Sequence, residues 1–200
     1  MNKLLFVFAF LLALPVLASA QELPRTEIFG GYSYMRLDQD GQTDQDLNGF
    51  NTSFTYNFNS FLGATAEFSA AFGNLTSGAG ATAVTQDQNF YFYLFGPKFT
   101  FRGNERFTPF AHVLLGAVTQ DLGNTLTTST GTTVTTTSTP NNTQFAMALG
   151  GGLDINFTER LSVRAIQADY ILTRLPGNGA NTNMNNLRAS AGFVLKLGEQ

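Results

Sequence analysis

Phe145-Ala146-Met147-Ala148-Leu149-Gly150-Gly151-Gly152-Leu153-Asp154-Ile155-Asn156-Phe157 is a run in which bulky apolar residues return at alternate positions. Phe145, Met147, Leu149, Leu153, Ile155 and Phe157 share one parity. Gln144, Ala146, Ala148, Gly150, Gly152, Asp154 and Asn156 share the other. Side chains along a strand point alternately to its two faces, so this run predicts a strand with one apolar face and one small or polar face.

The same period governs three further runs. Phe50, Thr52, Phe54, Tyr56 and Phe58 alternate with Asn51, Ser53, Thr55 and Asn57. Leu62, Ala64, Ala66, Phe68, Ala70 and Phe72 alternate with residues that include Thr65, Glu67 and Ser69. Leu187, Ala189, Ala191, Phe193, Leu195 and Leu197 alternate with Arg188, Ser190, Gly192, Val194 and Lys196. Four weaker strands fill the gaps: Glu27–Leu37, Phe90–Phe101, Phe107–Val118 and Leu161–Arg174. Phe107–Val118 is apolar on both parities, which leaves its phase open. In Leu161–Arg174, Gln167 and Asp169 fall on the opposite parity from Arg164, and a β-bulge near Ile166 reconciles them.

Eight strands result, and their connectors alternate in length. Short connectors are Asn57–Ser60, Arg102–Arg106 and Thr158–Arg160. Long ones are Asp38–Asn48, Gly73–Gln88, Gln120–Asn142 and Leu175–Asn185. Short turns at one end and long loops at the other are the wiring of an outer-membrane barrel. The strands also match the roughly 9–11 residues that a tilted membrane strand requires.

Composition agrees. Of 200 residues only 12% are charged and 43% are hydrophobic, with 20 Phe, 6 Tyr, no Trp and no Cys. A soluble domain carries about 25% charged residues. A secreted soluble barrel would need Lys and Glu outside, whereas the polar faces here are mostly Thr, Ser, Asn, Gly and Ala. Those suit the packed lumen of an eight-stranded barrel, so the apolar faces are expected to meet lipid. Residues 1–20 read as a cleaved signal peptide, with Lys3, an apolar stretch from Leu4 to Leu17, and Ala18-Ser19-Ala20. Residues 21–200 form the barrel domain. A net charge of −3 without a basic face excludes nucleic acid as a partner.

On the signal peptide, the strands, the connectors and the final strand Leu187–Leu197, the chain resembles the small eight-stranded OmpA/OmpX-type outer-membrane β-barrels. Phe29-Gly30-Gly31-Tyr32-Ser33-Tyr34 and Gln167-Ala168-Asp169-Tyr170 add to the likeness. The resemblance implies an all-β, eight-stranded antiparallel up-and-down transmembrane β-barrel in the bacterial outer membrane. It implies a monomer in contact with outer-membrane lipid and lipopolysaccharide, inserted by the outer-membrane assembly machinery, with loops offered to an extracellular ligand. Two departures stand out: the chain ends Leu197-Gly198-Glu199-Gln200 without a terminal aromatic, and any aromatic girdle must be built from Tyr and Phe.

Signals for catalysis are thin. His112 is the single histidine, and Ser69, Ser162 and Ser190 share no motif with it; the reading is a hydrogen-bonded histidine of the wall or lumen. Asp38, Asp40, Asp44 and Asp46 form an acidic connector whose spacing departs from a calcium-binding EF-hand loop, so it reads as solvated. Gly78, Gly80 and Ala83 match a dinucleotide fingerprint without its βαβ setting. Gly150-Gly151-Gly152 reads as close packing, and the Thr-rich stretch 125–139 fits a loop, a hairpin extension or an adhesive surface. No cofactor, metal or catalytic residue is assigned. The function expected is structural or adhesive, with a lipid A-modifying barrel enzyme and a narrow channel or small-ligand carrier as alternatives.

The inward faces carry four acids, Glu27, Glu67, Asp154 and Asp169, and four bases, Lys98, Arg164, Arg188 and Lys196. They are expected to pair in the lumen as Asp154–Arg164, Asp169–Arg188, Glu67–Lys98 and Glu27–Lys196. The tight turn that sets Phe157 opposite Leu161 places Asp154 directly opposite Arg164.

Overall fold

The structure, a computed structural model, describes residues 24–38, 45–77, 82–128, 137–138, 142–176 and 181–199. The leader expected over residues 1–20 and the connector residues Asp40 and Asp44 lie outside them. Eight long strands follow one another: β1 Pro24–Asp38, β2 Gln45–Asn57, β3 Leu62–Ser77 and β4 Thr82–Thr100. They continue with β5 Phe107–Thr128, β6 Asn142–Asn156, β7 Leu161–Pro176 and β8 Asn181–Glu199. Each pairs antiparallel with its neighbours in sequence, and β1 pairs with β8 from Pro24↔Glu199 to Asp38↔Asn185. The ring is closed. Closure leaves no strand edge to expose unpaired N–H and C=O groups to hydrocarbon.

The outer face is apolar, as the alternation predicts. Phe50, Phe54, Tyr93, Phe95, Leu149, Phe193 and Leu195 all point outward and are exposed. At the short-turn end the belt is Phe: Phe58, Phe61, Phe101, Phe107 and Phe157. Phe61 packs against Phe99 and Phe101 with ring centroids 5.4 Å apart in each case. Toward the other end Tyr takes over. Tyr34 donates a hydrogen bond to Asp46 Oδ1 at 2.6 Å, and Tyr32 donates to Asn48 Oδ1. Phenol rings with one apolar body and one wet tip suit that boundary.

The bulge lies in β7, where the sequence slip indicates. Asp154 faces Arg164, but Leu153 faces Ile166, so Ala165 is the extra residue. Ala165 and Ile166 both turn outward, and Gln167 and Asp169 thereby return to the lumen.

Two expectations are corrected. The long connectors are shorter than the polar stretches suggest: β3 runs to Ser77, β4 starts at Thr82, β5 runs to Thr128, and β8 starts at Asn181. Gly123 and Asn124 also pair with the two-residue segment Thr137–Ser138. Where both faces meet water, a strand has no reason to alternate, so its sequence reads as loop. The lumen, moreover, is not uniformly polar. Its long-loop half is filled by Met35, Leu37, Leu47, Phe90, Phe92, Leu114 and Ile171, all buried. On β4 and β5 both parities are apolar there, which hides the inward phase.

Candidate functional site

Below this apolar plug the lumen holds the charged side chains. Glu27, Glu67, Lys98, Asp154, Arg164, Asp169 and Arg188 are buried at 5% exposure or less, while Lys196 is half-buried at the short-turn mouth. A buried ion needs both a counter-charge and enough hydrogen bonds to replace water. How each is satisfied follows from the register.

His112, Gly150, Asp169 and Arg188 lie side by side on β5, β6, β7 and β8. With no side chain on Gly150, His112 Nε2–H reaches across that strand to Asp169 Oδ1 at 2.8 Å. A Cβ on Gly150 would lie 2.0 Å from that oxygen and 2.5 Å from the Ala168 carbonyl. Gly150→Ala is therefore expected to displace Asp169 and cost about 1–3 kcal/mol. Urea unfolding in lipid vesicles checks this; an unchanged midpoint would contradict the packing.

Arg188 spans the lumen. Its Nε and Nη2 donate to Asp169 Oδ2 at 3.0 and 2.6 Å, Nη2 reaches Glu67 Oε1 at 2.5 Å, and Nη1 reaches Ser69 Oγ at 2.6 Å. Only a guanidinium offers enough donors, in a planar fork, to serve two carboxylates and a hydroxyl at once. Asn51 Nδ2 also donates to Glu67 Oε2 at 3.3 Å.

Arg164 clamps Asp154 with two bonds, Nε to Oδ1 at 2.8 Å and Nη2 to Oδ2 at 3.1 Å. Its guanidinium is sandwiched between the Phe29 and Phe110 rings, 4.2 Å from each centroid. Gln167 joins the two clusters, accepting from Arg164 Nη1 at 2.7 Å and donating to Asp169 Oδ2 at 2.8 Å. A double-mutant cycle on Asp154→Asn and Arg164→Met is expected to show coupling above about 1 kcal/mol. Additive losses would mean the clamp is not formed.

Glu27 completes the set. Its Oε2 accepts from Lys98 Nζ at 2.7 Å and its Oε1 from Arg102 Nη2 at 2.7 Å. Arg102 Nη1 also holds the Ser60 carbonyl at 2.6 Å.

The expected pairs are thus rearranged. Asp154–Arg164 and Asp169–Arg188 face each other on adjacent strands. Glu67 does not meet Lys98: Glu67 lies opposite Leu94, four residues away, or about 13 Å along the strand. Glu27 does lie opposite Lys196, yet its oxygens are taken by Lys98 and Arg102, and Lys196 Nζ turns to Asn156 Oδ1 at 2.7 Å. Arg102 was not among the expected charges, because a turn residue carries no alternation to mark it as inward.

Of the three serines considered with His112, Ser69 accepts from Arg188 and Ser162 donates to Asn156 Oδ1 at 2.8 Å, while the Ser190 hydroxyl is buried without a hydrogen-bond partner among the described residues. His112 and Asp169 thus serve the ion network, which cross-links β3, β5, β7 and β8. Chemically, the arrangement is a buried ion network that ties strands together across the lumen.

The model of the outer membrane protein beta-barrel domain matches residues 6–195. No curated protein matches the chain. Among solved structures, the attachment invasion locus protein Ail of Yersinia pestis, crystallised with the heparin analogue sucrose octasulfate, is similar with a TM-score of 0.57 and 23% identity. That likeness covers 86% of this chain and 99% of Ail. Neisserial surface protein A is similar at a TM-score of 0.55 and 11% identity, over 86% of this chain and 97% of that one. At such identities the likeness is one of fold. With the family model spanning nearly the whole sequence and a closed ring of eight antiparallel strands beneath it, the chain belongs to the outer-membrane protein β-barrel family.

Proposed function

We propose that this outer-membrane barrel is a surface-interaction protein: a membrane anchor with a locked lumen that carries paired strands outward to an extracellular partner. In this reading residues 1–20 are the export signal and the mature barrel works as a monomer among outer-membrane lipid and lipopolysaccharide. The observation that carries it is strand length. β4 and β5 have 19 and 22 residues, about twice the 9–11 needed to cross. Their pairing continues from Tyr91↔Thr119 to Thr82↔Thr128. Beyond Tyr91 the outward positions turn polar, with Asn89 and Asp87 on β4 and Asp121 on β5. That leaves about 25–30 Å of paired strand above the aromatic belt.

The charge of that end narrows the partner. Among the described side chains Asp46, Asp87 and Asp121 outnumber Arg36 there. Such a rim repels a polyanion of the kind found with Ail and favours a cationic or uncharged surface. The test replaces residues 76–87 and 121–141 with short Gly-Ser turns. Expressing cells are then scored for adhesion to cationic, neutral and sulfated polymer coats. Full-length protein is expected to raise adhesion to the first or second but not the third, and the shortened variant to lose it while keeping its heat-dependent gel mobility. Unchanged adhesion by the shortened variant would sink the reading. Ion conductance by the full-length protein in a planar bilayer would favour a channel instead.

A further inference from the structure

The short-turn mouth of the barrel gathers a cluster of charged side chains. The cations Lys98, Arg102, Arg160, Arg164 and Lys196 gather there with the carboxylates of Glu27, Glu105, Asp154 and Glu159. Asp154 gives both oxygens to Arg164, and Glu27 divides its own between Lys98 and Arg102. Lys196 is half-buried opposite Glu27, and among the described residues its ammonium hydrogen-bonds the neutral Asn156 amide oxygen and no carboxylate. A partly desolvated ammonium with a single hydrogen bond keeps donors for a further acceptor.

Lys196 lines a cavity of about 870 Å³ that opens between the turn after β6, the turn after β4 and the joined ends of β1 and β8. Arg102 and Arg160 line it too, and among the described residues the exposed Arg160 side chain makes no hydrogen bond or ion pair. Glu105 and Glu159 stand in the same wall. The remaining wall includes Phe157 and Leu197, which also point outward into the apolar belt, 65% and 49% exposed. The cavity is therefore continuous with the edge of the lipid-facing surface, on the side where such barrels have their short periplasmic turns.

We propose that this cavity binds the phosphodiester headgroup of an anionic glycerophospholipid from the periplasmic leaflet. Lys196, Arg160 and the outer edge of Arg102 face the phosphate, Phe157 and Leu197 receive the first methylenes of an acyl chain, and Glu105 and Glu159 accept from headgroup hydroxyls. Basic pockets at the membrane boundary suit such headgroups. A free phosphate ion would satisfy Lys196 but leave most of the volume and the whole apolar wall unused.

The test uses the refolded full-length barrel in a zwitterionic detergent with phosphatidylglycerol, phosphatidylcholine or inorganic phosphate added. Bound lipid is counted by native mass spectrometry. Phosphatidylglycerol is expected to be retained in preference to phosphatidylcholine, and Lys196→Gln with Arg160→Gln to weaken that retention about tenfold. Arg106→Gln is an equal-sign charge change on the turn after β4, at a residue that does not line the cavity; it is expected to leave retention unchanged. Heat-dependent gel mobility verifies that each variant is folded. Equal loss in Arg106→Gln, or no loss in the double variant, would overturn the site. Displacement of the lipid by millimolar inorganic phosphate would show an oxyanion site and overturn the lipid assignment.

Discussion

Replacing Arg188 with leucine is expected to be among the most damaging single changes in this barrel, costing about 3–5 kcal/mol in urea unfolding from vesicles. The size follows from what is left behind. Asp169 and Glu67 would remain in the lumen, their side chains at most 2% exposed, without the guanidinium that serves both. Much of the loss is the cost of stranded charge, not the worth of the bridge. The triple change Arg188→Leu, Glu67→Gln and Asp169→Asn should therefore lose less than the single change. A triple variant as unstable as the sum of its parts would mean the charges are individually solvated and the lumen is wet.

Leu149→Arg should cost about 2–4 kcal/mol, because it drives a guanidinium into the middle of the lipid-facing belt. Leu149 is outward and 54% exposed, while its neighbour Ala148 is inward and fully buried. Asn89→Arg, outward on β4 above the tyrosine level, should cost no more than about 1 kcal/mol. Equal losses at the two positions, measured in the same vesicles, would show that the belt does not mark the bilayer.

Much of this architecture is legible in the residues. Lipid imposes a one-sided demand on each crossing strand, and Phe, Leu and Ile at every second position record it. The slip at Gln167 and Asp169 is legible because two polar residues changed parity together, and a bulge is the local remedy. The index arithmetic of a tight turn also places Asp154 against Arg164.

The same arithmetic fails across the lumen. It gives neighbours on adjacent strands, yet Arg188 reaches Glu67 and Lys98 reaches Glu27 between strands three apart in the ring. Those contacts depend on side-chain length and on which position is left vacant, as Gly150 is for His112 and Asp169. The strand extensions are unreadable for a simpler reason. Above the membrane both faces meet water, and polar residues on both parities carry no period.

Because the chain contains no cysteine, single cysteines can be introduced and spin-labelled one by one along β6. The most direct measurement is the accessibility of labels at residues 144–155 to oxygen, which concentrates in lipid, and to a water-soluble nickel complex. The account predicts oxygen maxima at Phe145, Met147, Leu149, Leu153 and Ile155, with low access to both reagents at Ala146 and Ala148. Nickel maxima at the odd positions, or no alternation at all, would contradict a closed barrel whose apolar face meets lipid and whose lumen is filled.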